Sequence, residues 1–189
     1  MLYLIVGILI WSLIHFIPTY FFNFRKKIIN ITGENPYKGI FSLLIVISIV
    51  LMVIGWRTSS AETIYSLPET IAHPITFICV TISFLLFFSG RIKSRIIKYI
   101  HNPQLVAVIT WGVGHIISNI NLKAIILFGG LVIWAIISII QTNHRDAKIQ
   151  KNLPEKFSIK SDILNILVGL VALCIFIFLH PFISGVKLV

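Results

Sequence analysis

The chain has 189 residues, of which 57% are hydrophobic and 12% charged, with a formal net charge of +10. A soluble domain of this length carries about twice that charged fraction, so there is too little polar surface to cover the core in water, and soluble fold classes are excluded. The basic excess does not read as a nucleic-acid surface either, because no basic stripe interleaves with exposed aromatics.

Taken in chain order, six runs lack Asp, Glu, Lys and Arg: residues 1–24, 39–56, 70–90, 99–122, 124–144 and 163–186. A helix rises ~1.5 Å per residue, so roughly 20 residues cross a hydrocarbon core of ~30 Å. Lipid offers no hydrogen bonds to a peptide group, so such runs must be helical. The alternating ~10-residue strands of a membrane barrel are absent. The expectation is an all-α polytopic bundle with spans at about 2–23, 39–56, 70–90, 103–120, 124–141 and 163–183, forming one domain over 1–189. The first run has no basic residue before its apolar part and no small-residue cleavage site, so it reads as a retained helix rather than a signal peptide.

The loops set the expected orientation. Arg25, Lys26, Lys27 and Lys38 fall in loop one, Arg91, Lys93, Arg95 and Lys98 in loop three, and Arg145, Lys148, Lys151, Lys156 and Lys160 in loop five. Only Arg57, Lys123 and Lys187 lie on the other side. Basic loops stay cytoplasmic, which puts both termini outside. The same basic face is expected to attract anionic lipid, at about 1 kcal/mol per nearby Lys or Arg. The segment TSSAETIYSLPE reads as an outer loop, and Asn119, Asn121 and Lys123 mark a tight turn. The region 141–162, with Pro154, reads as a mobile cytoplasmic linker, and Asp162 suits a helix N-terminus. Thr110, Gly114 and Ser118 form a small-residue stripe that suits close helix packing, as do Gly130, Trp134 and Ser138. Cys79 and Cys174 occur without a C-x-x-C spacing and read as small apolar fillers.

All six acids (Glu34, Glu62, Glu69, Asp146, Glu155 and Asp162) lie in loops or at a span edge. Their absence from the spans disfavours proton-coupled transport and carboxylate metal centres. Histidine remains. His101 and His144 are expected at solvated ends, while His73 and His180 each precede a proline near an outer end. His15 and His115 differ, because each sits inside a charge-free run, four residues after a tryptophan: Trp11 in WSLIH and Trp111 in WGVGH. Desolvation penalises an imidazolium, so such rings are expected to be neutral and to keep a lone pair for a metal. Their depths would differ by ~5–9 Å at ~1.5 Å per residue. Two imidazoles flanked by aromatics match what a b-type haem needs. The competing reading is that each only hydrogen-bonds across helices, at about 1 kcal/mol or less.

A set of motifs in order carries a family resemblance: His15, Pro18 and Arg25; GENPYKGIFSL with Gly33, Glu34, Tyr37 and Gly39; Gly55; NPQLVAVITWGVGHIISN; LFGGLVIWAI; and HPFISGV. With these the chain resembles the NnrU family of bacterial membrane proteins, to which the plant and cyanobacterial zeta-carotene isomerase is a distant relative. The resemblance implies six membrane helices in the bacterial inner membrane. From the isomerase branch it implies haem b with axial histidines, carried over to His15 and His115; Trp11 and Trp111, each one turn earlier on the same face, are expected from their spacing to line the slot. In that branch a cysteine stands three residues before the second histidine; here Gly112 occupies the position. This chain also has Asn102 where many relatives have histidine before a proline, and Asn119-Ile120 where many have Asn-Gly.

Three functions follow as expectations. The first is a haem-b protein of nitrite or nitric oxide metabolism, or one isomerising an apolar polyene beside Phe84, Phe87, Phe88, Phe176 and Phe178. The second is a non-enzymatic accessory or assembly factor for a respiratory or nitrogen-oxide reductase. The third is a small transporter.

Overall fold

The structure is a computed structural model that describes residues 1–148 and 157–186. The chain divides into two compact units, Met1–Ser60 and Ala61–Val189.

The first unit holds three helices, α1 (Leu2–Tyr20), α2 (Phe22–Thr32) and α3 (Glu34–Thr58). α1 packs antiparallel on α3, with Leu4 beside Gly55 and Gly7 beside Ser48 and Met52. Glycine is required at both positions. A Cβ on Gly55 would stand 2.4 Å from the Leu4 amide nitrogen, and one on Gly7 would stand 2.8 Å from the Ser48 carbonyl oxygen. Contact this close between backbones is how helices gain dispersion energy in lipid, where no hydrophobic force pushes them together. The Met1 amino group bonds the Ser59 hydroxyl at the far end of the pair.

Two boundaries differ from expectation. The first span stops at Tyr20, short of residue 23, because the backbone turns out of helix at Phe21 (φ −112°, ψ 44°) after Pro18. Residues 24–32, expected as loop, belong with the last two residues of the expected first span to α2, which ends at Gly33 with a φ of +89°. α3 begins five residues before the charge-free run. Glu34 favours the helix N-terminus, and its carboxylate pairs with Lys38 at 2.8 Å, one turn on.

The second unit contains β1 (Thr63–Ser66), α4 (Glu69–Ile92), a 3-10 turn (Arg95–Lys98), α5 (Pro103–Ser118), β2 (Asn119–Asn121), α6 (Leu122–Ala124), a π-helical turn (Ile125–Gly129), α7 (Gly130–Lys148) and α8 (Ile159–Ser184). The helical class holds, with one small addition: β1 pairs antiparallel with β2, Tyr65 opposite Ile120 and Ser66 opposite Asn119. The segment TSSAETIYSLPE, expected as an outer loop, is thereby tied to the α5–α6 turn, where the Asn121 side chain accepts from the Ala124 amide at 2.9 Å.

α4 is the central element, packing on both α5 and α8. The predicted small-residue stripe on α5 faces it. A Cβ on Gly114 would stand 2.6 Å from the Cys79 Cβ, and the Ser118 and Thr76 hydroxyls bond each other. On the other side Gly169 meets the Phe84 carbonyl, and Asn165, 1% exposed, donates to the Leu85 carbonyl at 3.0 Å. Asp162 lies in the first turn of α8, accepting from the Arg95 amide at 2.7 Å and pairing with its guanidinium at 3.4 Å. The N-cap itself is Ser158, whose hydroxyl accepts from the Lys160 amide. Gln141–Lys148, expected as linker, continues α7. Pro154, Lys151, Glu155, Lys156 and Lys187 lie outside the described residues.

Among the described residues five helices are long and apolar enough to cross a membrane: Leu2–Tyr20, Glu34–Thr58, Glu69–Ile92, Leu122–His144 and Ile159–Ser184. α5 is apolar but shorter, at 16 residues. The Thr76–Ser118 bond gives a direct test of packing. Thr76→Val and Ser118→Ala are each expected to cost about 0.6–1 kcal/mol, with the double variant costing little more than either single one. Thermal unfolding in detergent across the double-mutant cycle measures this coupling.

Candidate functional site

His15 and His115 adopt the same local arrangement in the two units. On α1 the His15 Nδ1–H donates to the Trp11 carbonyl at 2.8 Å. On α5 the His115 Nδ1–H donates to the Trp111 carbonyl at 2.8 Å. Helical side chains lean towards the N-terminus, so an imidazole at i reaches the carbonyl at i−4. A carbonyl only accepts, which places the proton on Nδ1. In a neutral ring the lone pair is then on Nε2, the nitrogen that points away from the helix backbone.

Aromatic rings hold both imidazoles. Trp11 lies 4.2 Å from His15, centroid to centroid, tilted by 34°, and Phe41 of α3 meets it edge-on at 5.8 Å. Trp111 lies 5.0 Å from His115. Phe128 stacks on His115 at 4.5 Å with an interplanar angle of 24° and touches Trp111 edge-on at 4.8 Å. Both histidines are half-buried. Sequence reasoning found both Trp-x-x-x-His pairs but missed Phe128 and Phe41, because cross-helix partners leave no local periodicity. The signal nearest to Phe128 was LFGG, which the structure makes part of the π turn. Such single turns of π-helix recur at functional sites, and this one carries Phe128 over the His115 ring.

Gly112 acquires a physical reason here. A Cβ at this position would stand 2.7 Å from Val132 Cγ2 and 3.2 Å from the Phe128 carbonyl oxygen. A side chain at 112 would push away the helix that brings Phe128 to His115.

The remaining histidines separate clearly. His73, His101 and His144 are exposed. His180 is half-buried, with its Nδ1 donating to the Val186 carbonyl at 2.9 Å and bonded to the Ser184 hydroxyl at 3.0 Å. Of the phenylalanines expected around a substrate, Phe84 and Phe176 pack together at 5.2 Å, joining α4 to α8, Phe87 and Phe88 meet edge-on at 5.4 Å, and Phe178 is 73% exposed. Cys79 fills space against Gly114 as expected, while Cys174 is exposed.

Long apolar helices joined by short connections, with imidazoles carried inside the helices, define the class as an α-helical membrane protein. The family described as NnrU protein matches residues 3–188, nearly the whole chain. This chain belongs to the NnrU family. No curated protein and no solved structure matches it.

Proposed function

We propose that the chain is a multi-pass protein of a bacterial inner membrane that binds haem b through His15 and His115 and serves nitrite or nitric oxide metabolism. The observation that carries the reading is the shared Nδ1–H bond to the carbonyl of a tryptophan one turn earlier. Haem-ligating and metal-ligating histidines commonly give their second ring N–H to a carbonyl or carboxylate, which fixes the tautomer and raises the basicity of the other nitrogen. Trp11 and Trp111 line the rings, and α1 and α5, which carry them, hold no carboxylate. Among the described residues no three His, Cys, Asp or Glu side chains assemble a metal-holding group. A porphyrin supplies four ligands itself and asks the protein for only one or two nitrogens. Haem b bound there would supply one-electron redox chemistry and ligand exchange at iron, while the chain binds, orients and shields it.

The same proposal assigns α5 as a sixth span, with both termini outside. At ~1.5 Å per residue α5 reaches about 24 Å, and it packs between α4 and α7. The apolar surroundings also suit isomerisation of a polyene, which the family resemblance implies for a related branch. A respiratory or nitrogen-oxide reductase component is the expected partner.

The test is a reduced-minus-oxidised spectrum of the full chain purified in detergent after expression with haem supply. A Soret band with paired α and β bands on reduction is expected. A spectrum without haem absorbance, even after haem titration, removes the reading and favours a non-enzymatic accessory role.

A further inference from the structure

α2 was expected for the most part as a loop and is instead an 11-residue helix with no buried residue. Its direction follows from the register of its neighbours. α1 and α3 run antiparallel with Leu4 beside Gly55 and Gly7 beside Met52, and His15 meets Phe41. Continued to the end of α1, this register sets Tyr20 level with roughly residue 36 of α3. At ~1.5 Å per residue the two ends of α2 therefore differ in height by only about 3–5 Å, yet eleven residues of helix are about 16 Å long. α2 must run across the α1–α3 pair, close to perpendicular to its axis. Each end is joined by a single residue, Phe21 or Gly33, so it lies where the apolar length of α1 stops.

α2 has a polar face with an apolar edge beside it. Asn23, Lys26, Lys27 and Asn30 recur at i, i+3, i+4 and i+7 on one face, and Phe24, Ile28 and Ile31 form an edge centred about 120° further round the helix at ~100° per residue. Phe24 is 54% and Ile31 74% exposed, continuing from exposed Phe21 and Phe22. The other local cations are engaged, Arg25 over the Tyr37 ring at 5.5 Å and Lys38 with Glu34. Lys26 and Lys27 are exposed beside the polar asparagines.

We propose that α2 lies in the membrane–water interface and binds anionic phospholipid. Its apolar edge sits among acyl chains at the headgroup boundary, and Lys26 and Lys27 take the phosphates of acidic headgroups. An in-plane helix with an apolar edge and a lysine-bearing face fits this surface. Two membrane-crossing helices hold the edge at lipid depth, so a soluble partner would have to displace lipid to reach it. This inference stands independently of haem binding.

The experiment uses the full chain with Cys79→Ala and Cys174→Ala, reconstituted in phosphatidylcholine vesicles containing a minor fraction of phosphatidylglycerol. Nitroxides are placed one at a time at positions 23, 24, 27, 28, 30 and 31. Labels at 24, 28 and 31 are expected to relax with oxygen, and those at 23, 27 and 30 with a water-soluble nickel chelate. Nickel access at every position means that the helix stands in water, awaiting some other partner, and overturns the proposal. A fluorophore at Asn30→Cys then reads quenching by headgroup-labelled phosphatidylglycerol against headgroup-labelled phosphatidylcholine. Lys26→Gln with Lys27→Gln is expected to reduce the preference for the anionic lipid by roughly twenty-five-fold, about fivefold per lysine. Lys26→Arg with Lys27→Arg is expected to retain it. A preference unchanged in the glutamine pair also overturns the proposal.

Discussion

His115→Ala is expected to remove at least nine-tenths of the haem absorbance of the purified chain, and His15→Ala to do the same. An alanine at either position leaves one protein ligand where a six-coordinate b-type iron needs two. Weakened retention through purification follows, and any haem kept would show the broadened, shifted Soret band of five-coordinate iron. Exposed histidines give the control: His101→Ala and His144→Ala should leave the spectrum unchanged. The hydrogen bond behind each histidine is accepted by a backbone carbonyl, so Trp111→Phe keeps it and is expected to retain haem. Losing the bond from a ligating imidazole's other N–H typically costs 10–100-fold in metal affinity, which no side-chain substitution at Trp111 can accomplish while the helix remains intact. Unchanged absorbance in the double variant His15→Ala/His115→Ala would end the assignment. Loss in His180→Ala comparable to that in His115→Ala would move it, because His180 also gives its Nδ1–H to a carbonyl.

Much of this was legible along the chain, and the part that was not has a common cause. Charge-free runs located every long apolar helix, because exclusion of charge from lipid acts on composition and needs no knowledge of partners. The two tryptophan–histidine pairs were legible because a four-residue spacing is itself one helical turn. What escaped depended on contacts between distant residues. The β1–β2 ladder joins Thr63 to Asn121, Phe128 reaches His115 from another helix, and Gly112 proved to be a packing contact against Val132. α2 escaped for a different reason. Its three consecutive cations, Arg25, Lys26 and Lys27, mark the edge of a span, and that signal masked the helical alternation of Phe24, Ile28 and Ile31 beneath it.

Gly55→Val is the substitution expected to damage the first unit most. Leu4, fully buried, presents its amide nitrogen, Cα and Cβ within 2.4–2.7 Å of the position a Cβ at 55 would take. Two of those three atoms are backbone, so no rotamer change can relieve the collision and α1 must move off α3. Overpacking typically costs 1–3 kcal/mol, occasionally more, and here it also forfeits dispersion contacts along the pair. A loss of about 3 kcal/mol is expected for Gly55→Val and somewhat less for Gly55→Ala, read as a fall in the detergent unfolding midpoint. Gly7→Ala meets Ser48 and Met52 on the same interface and should cost a similar amount alone. Once α1 has been displaced by either change, the second Cβ finds part of its space already open. The double variant Gly7→Ala/Gly55→Ala is therefore expected to lose clearly less than the sum of the two. Strict additivity would mean that the two glycines relax separately, by local bending of α1 at each contact. The Trp11–His15 bond lies within one turn of α1 and should survive a rigid shift of the helix, whereas the His15–Phe41 contact spans two helices and should not. A Gly55→Val chain that unfolds early yet keeps its histidine chemistry would separate what α1 builds by itself from what α3 adds.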